Sequence, residues 1–184
     1  MLQGQTTKLL LIRHAESAPD RDLPEPEWPL SPEGERQAEA LVQSLNVDRL
    51  FSSPYPRAIA TLAPTAERLG LTIETVSDLR ERKLSEGVLT DWRASLQRTW
   101  EDFDFALPGG ESSRICQIRV VNALNQLARD NEGSTIAAAS HGNAIALFLH
   151  HLNPGFGFDE WEAMQNPHVF ELEFSLSGWS LIQG

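Results

Sequence analysis

The sequence predicts an α/β fold: a doubly wound, mainly parallel central sheet flanked by helices. Lys8 to Arg13 and Thr135 to Ser140 are short runs that are apolar on both faces, the mark of strands buried inside a parallel sheet. Segments with helical spacing separate the strand-like runs, and strands alternating with helices imply a parallel sheet. A chain of 184 residues, 41% of them hydrophobic, suits one domain spanning 1–184 with a substantial core.

The elements follow in order. Lys8 to Arg13 is the first strand, central by composition. Ala18 to Pro29 holds Pro19, Pro24, Pro26 and Pro29 among charges and reads as an irregular loop. Ser31-Pro32 opens a helix, serine as N-cap and proline at the first helical position. Ala38, Leu41, Val42 and Leu45 then give that helix one buried face. Val47 to Phe51 is a second strand, and Ser53 and Pro54 are read as the N-cap and first residue of a helix stopped by Gly70. Pro64 inside that helix cannot donate to residue 60 and is expected to kink it. Leu71 to Val76 reads as a strand. The segment 86–107, with Trp92, Trp100, Phe103 and Phe105, is the least regular, a mixture of short helix and loop. Its aromatics are read as core or loop anchors, with a cap over a pocket as the alternative. A helix from about Glu111 to Arg129 carries the stripe Cys116, Val120, Ala123, Leu124 and Leu127, making Cys116 a core residue. After the strand at Thr135 to Ser140, Ala144 to Leu149 is apolar all round and so buried. Val169 to Phe174 and Trp179 to Ile182 form a closing hairpin around Ser177-Gly178.

Charge and cysteine content narrow the function. A net charge of −11 opposes a general nucleic-acid surface or an anionic membrane. A small anion can still bind where cations are concentrated. One cysteine leaves no intramolecular disulfide and no thiolate metal cluster, so a reducing, cytoplasmic setting is expected. Met1 to Thr7 lacks the charged and apolar regions of a signal peptide, and no apolar run nears the roughly 20 residues of a membrane helix.

Two distant strands end alike, in Ile12-Arg13-His14 and Ala139-Ser140-His141. Ligands of open α/β sheets sit beyond the carboxyl ends of strands, so both histidines and Arg13 are placed at one rim. A single histidine at a strand end is usually structural; two at equivalent ends, one beside an arginine, point to function. Gly142 and Asn143 follow His141 at a helix start, where free N–H groups attract anions. Gly142 also reads simply as a turn glycine. Arg57, placed near a helix N-terminus, opposes the helix dipole unless an anion or a carboxylate such as Asp48 or Glu16 accompanies it.

In these pieces the chain resembles the histidine phosphatase (phosphoglycerate mutase-like) superfamily. The matching segments are Leu11-Ile12-Arg13-His14-Ala15-Glu16-Ser17, Leu30-Ser31-Pro32-Glu33-Gly34-Glu35-Arg36-Gln37-Ala38 and Ser52-Ser53-Pro54-Tyr55-Pro56-Arg57-Ala58. Leu79-Arg80-Glu81-Arg82, Pro108-Gly109-Gly110-Glu111-Ser112 and Ser140-His141-Gly142-Asn143 follow in the family's order. The resemblance implies that His14 is a nucleophile forming a phosphohistidine, and that Arg13, Arg57 and His141 hold the phosphoryl oxygens. Glu81 would protonate the leaving oxygen and then activate water, with Glu86 the alternative in the same loop. Gly142 and Ser17 complete the implied substrate-binding set. The substrate implied is a small phosphomonoester, with no metal and no cofactor.

The chemistry asks for matching properties. Phosphoryl transfer needs positioning and charge neutralisation, which two guanidiniums and a second histidine supply. The attacking imidazole must be neutral, favoured by nearby cations, with its other nitrogen held by an acceptor such as a backbone carbonyl. A carboxyl with raised pKa is expected opposite it.

The chain departs from the family's pattern at Ala15, where glycine is usual, and at Asp20, where asparagine is common. It departs again at Arg82-Lys83-Leu84-Ser85, where mutases continue differently. Asp20 is therefore given no phosphate role, and the phosphatase branch is favoured over the mutases. Two further activities compatible with these residues are dephosphorylation of phosphohistidine proteins and phosphate binding without turnover. His150-His151 is read as a helix end, His168 as ordinary surface, and Arg93 and Arg98 as solvated or touching a second anionic group.

Overall fold

The computed structural model describes residues 5–87 and 89–184. The signal-peptide reading of Met1 to Thr7 falls partly outside them, as does Val88 within the segment 86–107.

Among the described residues six strands form one sheet in the order β3-β2-β4-β1-β5-β6. They are β1 (Thr7–Arg13), β2 (Arg49–Ser52), β3 (Ile73–Thr75), β4 (Thr135–Ser140), β5 (His168–Ser175) and β6 (Gly178–Gln183). The first four run parallel, while β5 and β6 are an antiparallel hairpin laid against β1. β1 and β4 are direct neighbours in the middle, with Arg13 opposite Ser140. Their all-apolar sequences follow from that position, because both faces are covered.

The side-chain alternation of the strands sorts the core into two layers. Leu9, Leu11, Ile136 and Ala138 face helices α4 (Ser113–Asp130) and α5 (Gly142–Leu152). Ile12, Ala137 and Ala139 face the other way, packing with Ala58 and Leu62 of helix α2 (Pro56–Leu69). Ala144 to Leu149 of α5 is buried throughout, as its uninterrupted apolar run requires.

The start of α1 is as the sequence predicts, and α4 begins close to the expected Glu111. The Ser31 hydroxyl accepts the Gly34 N–H at 2.9 Å and caps α1 (Pro32–Leu41). Ser112 caps α4, accepting from Ile115 at 3.2 Å. In the first turn of α1, a Cβ on Gly34 would lie 2.0 Å from the Glu16 carbonyl oxygen. Only glycine lets α1 press this closely on the loop that follows His14.

Other expectations need correction. α2 begins at Pro56 rather than Pro54, with Tyr55 as N-cap in an extended conformation. The reason is local: a residue preceding proline is pushed out of the helical region, so Tyr55 cannot be helical. Arg57 therefore stands second in the helix. The strand read at Leu71 to Val76 is only Ile73–Thr75, and the proline-rich loop contains a short 3-10 turn at Glu25–Glu27. Within 86–107 a helix α3 (Trp92–Glu101) forms, capped by Asp91, and the short α6 (Phe158–Ala163) is one that the sequence did not predict.

Candidate functional site

The carboxyl ends of three adjacent strands meet at one rim. β1 delivers Arg13-His14, β4 delivers Ser140-His141, and β2 delivers Ser52-Ser53. The His14 N–H donates to the Ser140 carbonyl at 3.0 Å, and Ser53 N–H to that of Ala139 at 2.9 Å, so the ladder continues into the site. The two imidazoles lie with ring centroids 5.1 Å apart. His141 is fully buried and its Nε2 is 2.6 Å from the Ser53 hydroxyl.

His14 Nδ1 is 2.6 Å from the Ala15 carbonyl. A carbonyl only accepts, so the proton resides on Nδ1 and the Nε2 lone pair is free. The Arg57 Nε–H points at that lone pair from 3.2 Å. Burial is the main cause that lowers the His14 pKa to about 3; the Arg57 and Arg13 charges add to it, and the Ala15 carbonyl opposes it. Neighbouring cations, expected from the sequence to keep this imidazole neutral, are thus the smaller contribution. His141 is likewise pushed well below the usual histidine range, again chiefly by burial.

Arg13 is anchored by donation to the Met164 carbonyl. Its Nε, His141 Nδ1 and Trp161 Nε1 are buried donors or acceptors without a partner among the described residues. A Cβ on Gly142 would stand 3.1 Å from Trp161 Nε1 and 3.4 Å from the Arg13 guanidinium carbon, so glycine here leaves room for both.

Glu81 reaches the same place from the loop after β3. Its Oε1 accepts from the N–H groups of Arg82 at 2.8 Å and Ala144 at 3.1 Å, and its Oε2 accepts from Asn143 at 3.1 Å. Two of the α5 N–H groups that the sequence offered to a ligand, those of Asn143 and Ala144, are therefore held by Glu81. Arg119 fixes the loop itself, donating to the carbonyls of Asp78 at 2.7 Å and Arg80 at 2.9 Å. Arg119 is in turn gripped by both carboxylate oxygens of Glu111, each at 2.7 Å.

The fold brings Arg13, His14, Arg57, Glu81, His141 and Gly142 together, but not every residue named from the sequence. Ser17 bridges to Leu30, and its hydroxyl bonds to no site residue among those described. Glu86 is largely exposed and pairs with Lys83 at 3.6 Å, away from the imidazoles. The Asp20 carboxylate turns to the Asp22 N–H at 2.8 Å, clear of the histidines. Arg93 pairs with Glu162 and Arg98 lies over Phe105, so neither is directed at the site. His168 is not ordinary surface: it pairs with Arg13 across the β1–β5 ladder and stacks on Phe170 at 4.4 Å.

Four contributors carry no signal in the sequence. The Asn166 amide donates to the His14 carbonyl at 2.7 Å, Met164 anchors Arg13, and Trp161 flanks Gly142. Arg57 does pair with a carboxylate, but with Glu25 and not Asp48 or Glu16. Burial raises the Glu25 pKa, with Arg57 opposing. Glu25, Tyr55, Arg80, Glu81, Arg82 and Lys83 surround a cavity of about 430 Å³ at the mouth of the site. A larger hollow of about 720 Å³ between α1 and α2 holds none of the site residues and has no part in the chemistry.

The fold and this cluster define a class of protein: an α/β domain with paired histidines and guanidiniums at the carboxyl edge of a mainly parallel sheet. The chain belongs to the histidine phosphatase superfamily, branch 1, whose family model matches residues 9–183. That membership places it among phosphatases. A probable phosphoglycerate mutase GpmB of Enterobacter sp. (strain 638) is 31% identical, over 77% of this chain and 73% of its own length. The structure of a mycobacterial glucosyl-3-phosphoglycerate phosphatase is similar with a TM-score of 0.78 at 21% identity, covering 97% of this chain and 98% of that one. A phosphoglycerate mutase from Bacillus anthracis is similar with a TM-score of 0.79 at 13% identity, over 99% of this chain and 94% of that one.

Proposed function

We propose that the chain is a metal-independent phosphomonoesterase that hydrolyses a small phosphorylated metabolite through a phosphohistidine. The observation that carries this reading is the His14 imidazole, with Nδ1 tied to a backbone carbonyl and an unprotonated Nε2 whose lone pair accepts from the Arg57 Nε–H until phosphorus replaces that proton. In the first step Nε2 attacks phosphorus in line, the ester P–O bond breaks, and Glu81 gives its proton to the leaving oxygen. In the second, Glu81 takes a proton from water, which attacks phosphorus, and the P–N bond breaks to return His14 and release phosphate. Arg13, Arg57 and His141 neutralise the phosphoryl oxygens in both steps.

A mutase would return the phosphoryl group to a rearranged product instead of to water, and the relatives named as mutases keep that reading alive. The sequence Arg82-Lys83-Leu84-Ser85 after Glu81 favours hydrolysis. A cytoplasmic setting belongs to the same reading and rests on the single cysteine, Cys116, which is buried.

A panel of phosphometabolites with phosphate-release readout tests this, run beside His14→Ala and Glu81→Ala. His14→Ala is expected to lose essentially all turnover, and wild type to form an acid-labile, alkali-stable phosphoryl adduct. Glu81→Ala should slow alkyl phosphates far more than aryl phosphates, whose leaving groups need less protonation. Equal turnover by His14→Ala and wild type refutes the nucleophile. Phosphoryl return to a second hydroxyl without phosphate release establishes the mutase.

A further inference from the structure

We propose that the Glu25 carboxylate is a built-in competitor for the phosphoryl group at Arg57, so the Glu25 side chain must leave that arginine before an anion binds fully. The identity of the ligand rests on the phosphatase reading, and the competition rests on the geometry around Arg57.

The Arg57 side chain is 3% exposed, so the ligands it can meet are decided by the few groups around it. Its Nε–H is directed at the His14 lone pair, 3.2 Å away. Its Nη1–H donates to the Glu25 backbone carbonyl at 2.8 Å, and its Nη2–H to the Glu25 carboxylate. A phosphoryl group within reach of His14 Nε2 needs the donors on this guanidinium, and a carboxylate already holds one of them. Guanidinium grips carboxylate and phosphate with the same forked donor geometry, so the two anions compete for the same hydrogens.

The competitor is also free to leave. The Glu25 side chain is 46% exposed and stands on a three-residue 3-10 turn between Pro24 and Pro26. Burial disfavours an ionised Glu25 in this cavity, which Glu81 also lines. A phosphoryl dianion brought to Arg57 repels the Glu25 carboxylate, and rotation of Glu25 toward solvent relieves it. The backbone carbonyl contact to Nη1 does not depend on the side chain. Glu25→Gln therefore removes the competing charge while leaving Arg57 held.

The test is an equilibrium titration of wild type, Glu25→Gln and Glu25→Ala with inorganic phosphate and with orthovanadate, alongside KM for an aryl phosphate. Both variants are expected to bind phosphate about tenfold more tightly, roughly 1.4 kcal/mol, and KM should fall in similar proportion. Unchanged or weaker binding in both overturns the proposal and makes the carboxylate a support for Arg57. If wild type hydrolyses aryl phosphate while that happens, only the competition has failed. If wild type neither hydrolyses nor binds phosphate, the proposal fails together with the functional reading beneath it.

Discussion

At the scale of single residues, the decisive feature is an imidazole kept neutral by its surroundings. His14 is 8% exposed, and its pKa of about 3 leaves it a free base throughout the neutral range. If His14 is the proposed nucleophile, it imposes no loss of kcat/KM near pH 6.5, where an ordinary histidine would titrate. The acid limb is expected instead to follow the second ionisation of the phosphomonoester, near pH 6. Two substrates whose phosphates ionise at different pH check this, since the limb should move with the substrate. A break fixed near 6.5 for both contradicts a buried, neutral His14.

At the scale of elements, α4 acts on the site without touching the imidazoles. Arg119 and Glu111 have side chains only 9% and 13% exposed, and together they pin the loop that carries Glu81. Arg119→Met leaves the Glu111 carboxylate with only the more distant Arg80, 3.9 Å away, and breaking such a buried pair costs about 3 kcal/mol. For a chain this size that is a fall in Tm of roughly 6–12 °C, read by thermal melting. Turnover of alkyl phosphates should drop more than that of aryl phosphates, because a shifted Glu81 fails chiefly where protonation matters. Equal loss on both makes Arg119 a purely structural support. The elements that frame this loop show what a sequence reveals. β1 and β4 were legible because burial on both faces writes an unbroken apolar run, and Ser31 because capping is a contact over three residues. The start of α2 was misplaced at Ser53-Pro54, although the constraint that Pro56 puts on Tyr55 is just as local. Glu25, Trp161, Met164 and Asn166 leave no such pattern. They reach His14, Arg13 and Arg57 only through the chain's return in three dimensions, so Glu25 looks like one more charge in a proline-rich loop.

At the scale of the whole molecule, the arrangement that makes the site reactive also ties it to folding. The central strands end in imidazoles that the core on either side of the sheet keeps from water, and a proton on either one opposes that burial. In the unfolded chain His14 titrates near 6.5, and in the folded protein at about 3. Its folded pKa is depressed, so its contribution to stability is complete above pH 6.5 and is lost as the pH falls toward 3. Between those limits the unfolded state binds the extra proton, and stability must decline with acid. At pH 4.5 the penalty from His14 alone is on the order of 2–3 kcal/mol. His141 is shifted in the same direction and adds to it. Urea unfolding between pH 7 and 4.5 measures the slope, and carboxylates elsewhere contribute equally to wild type and to His14→Asn. The difference between the two proteins therefore isolates the imidazole: wild type should lose more stability over that interval by about the stated amount. Parallel curves would mean that His14 accepts a proton as readily in the folded protein as in the open chain, contradicting the depressed pKa.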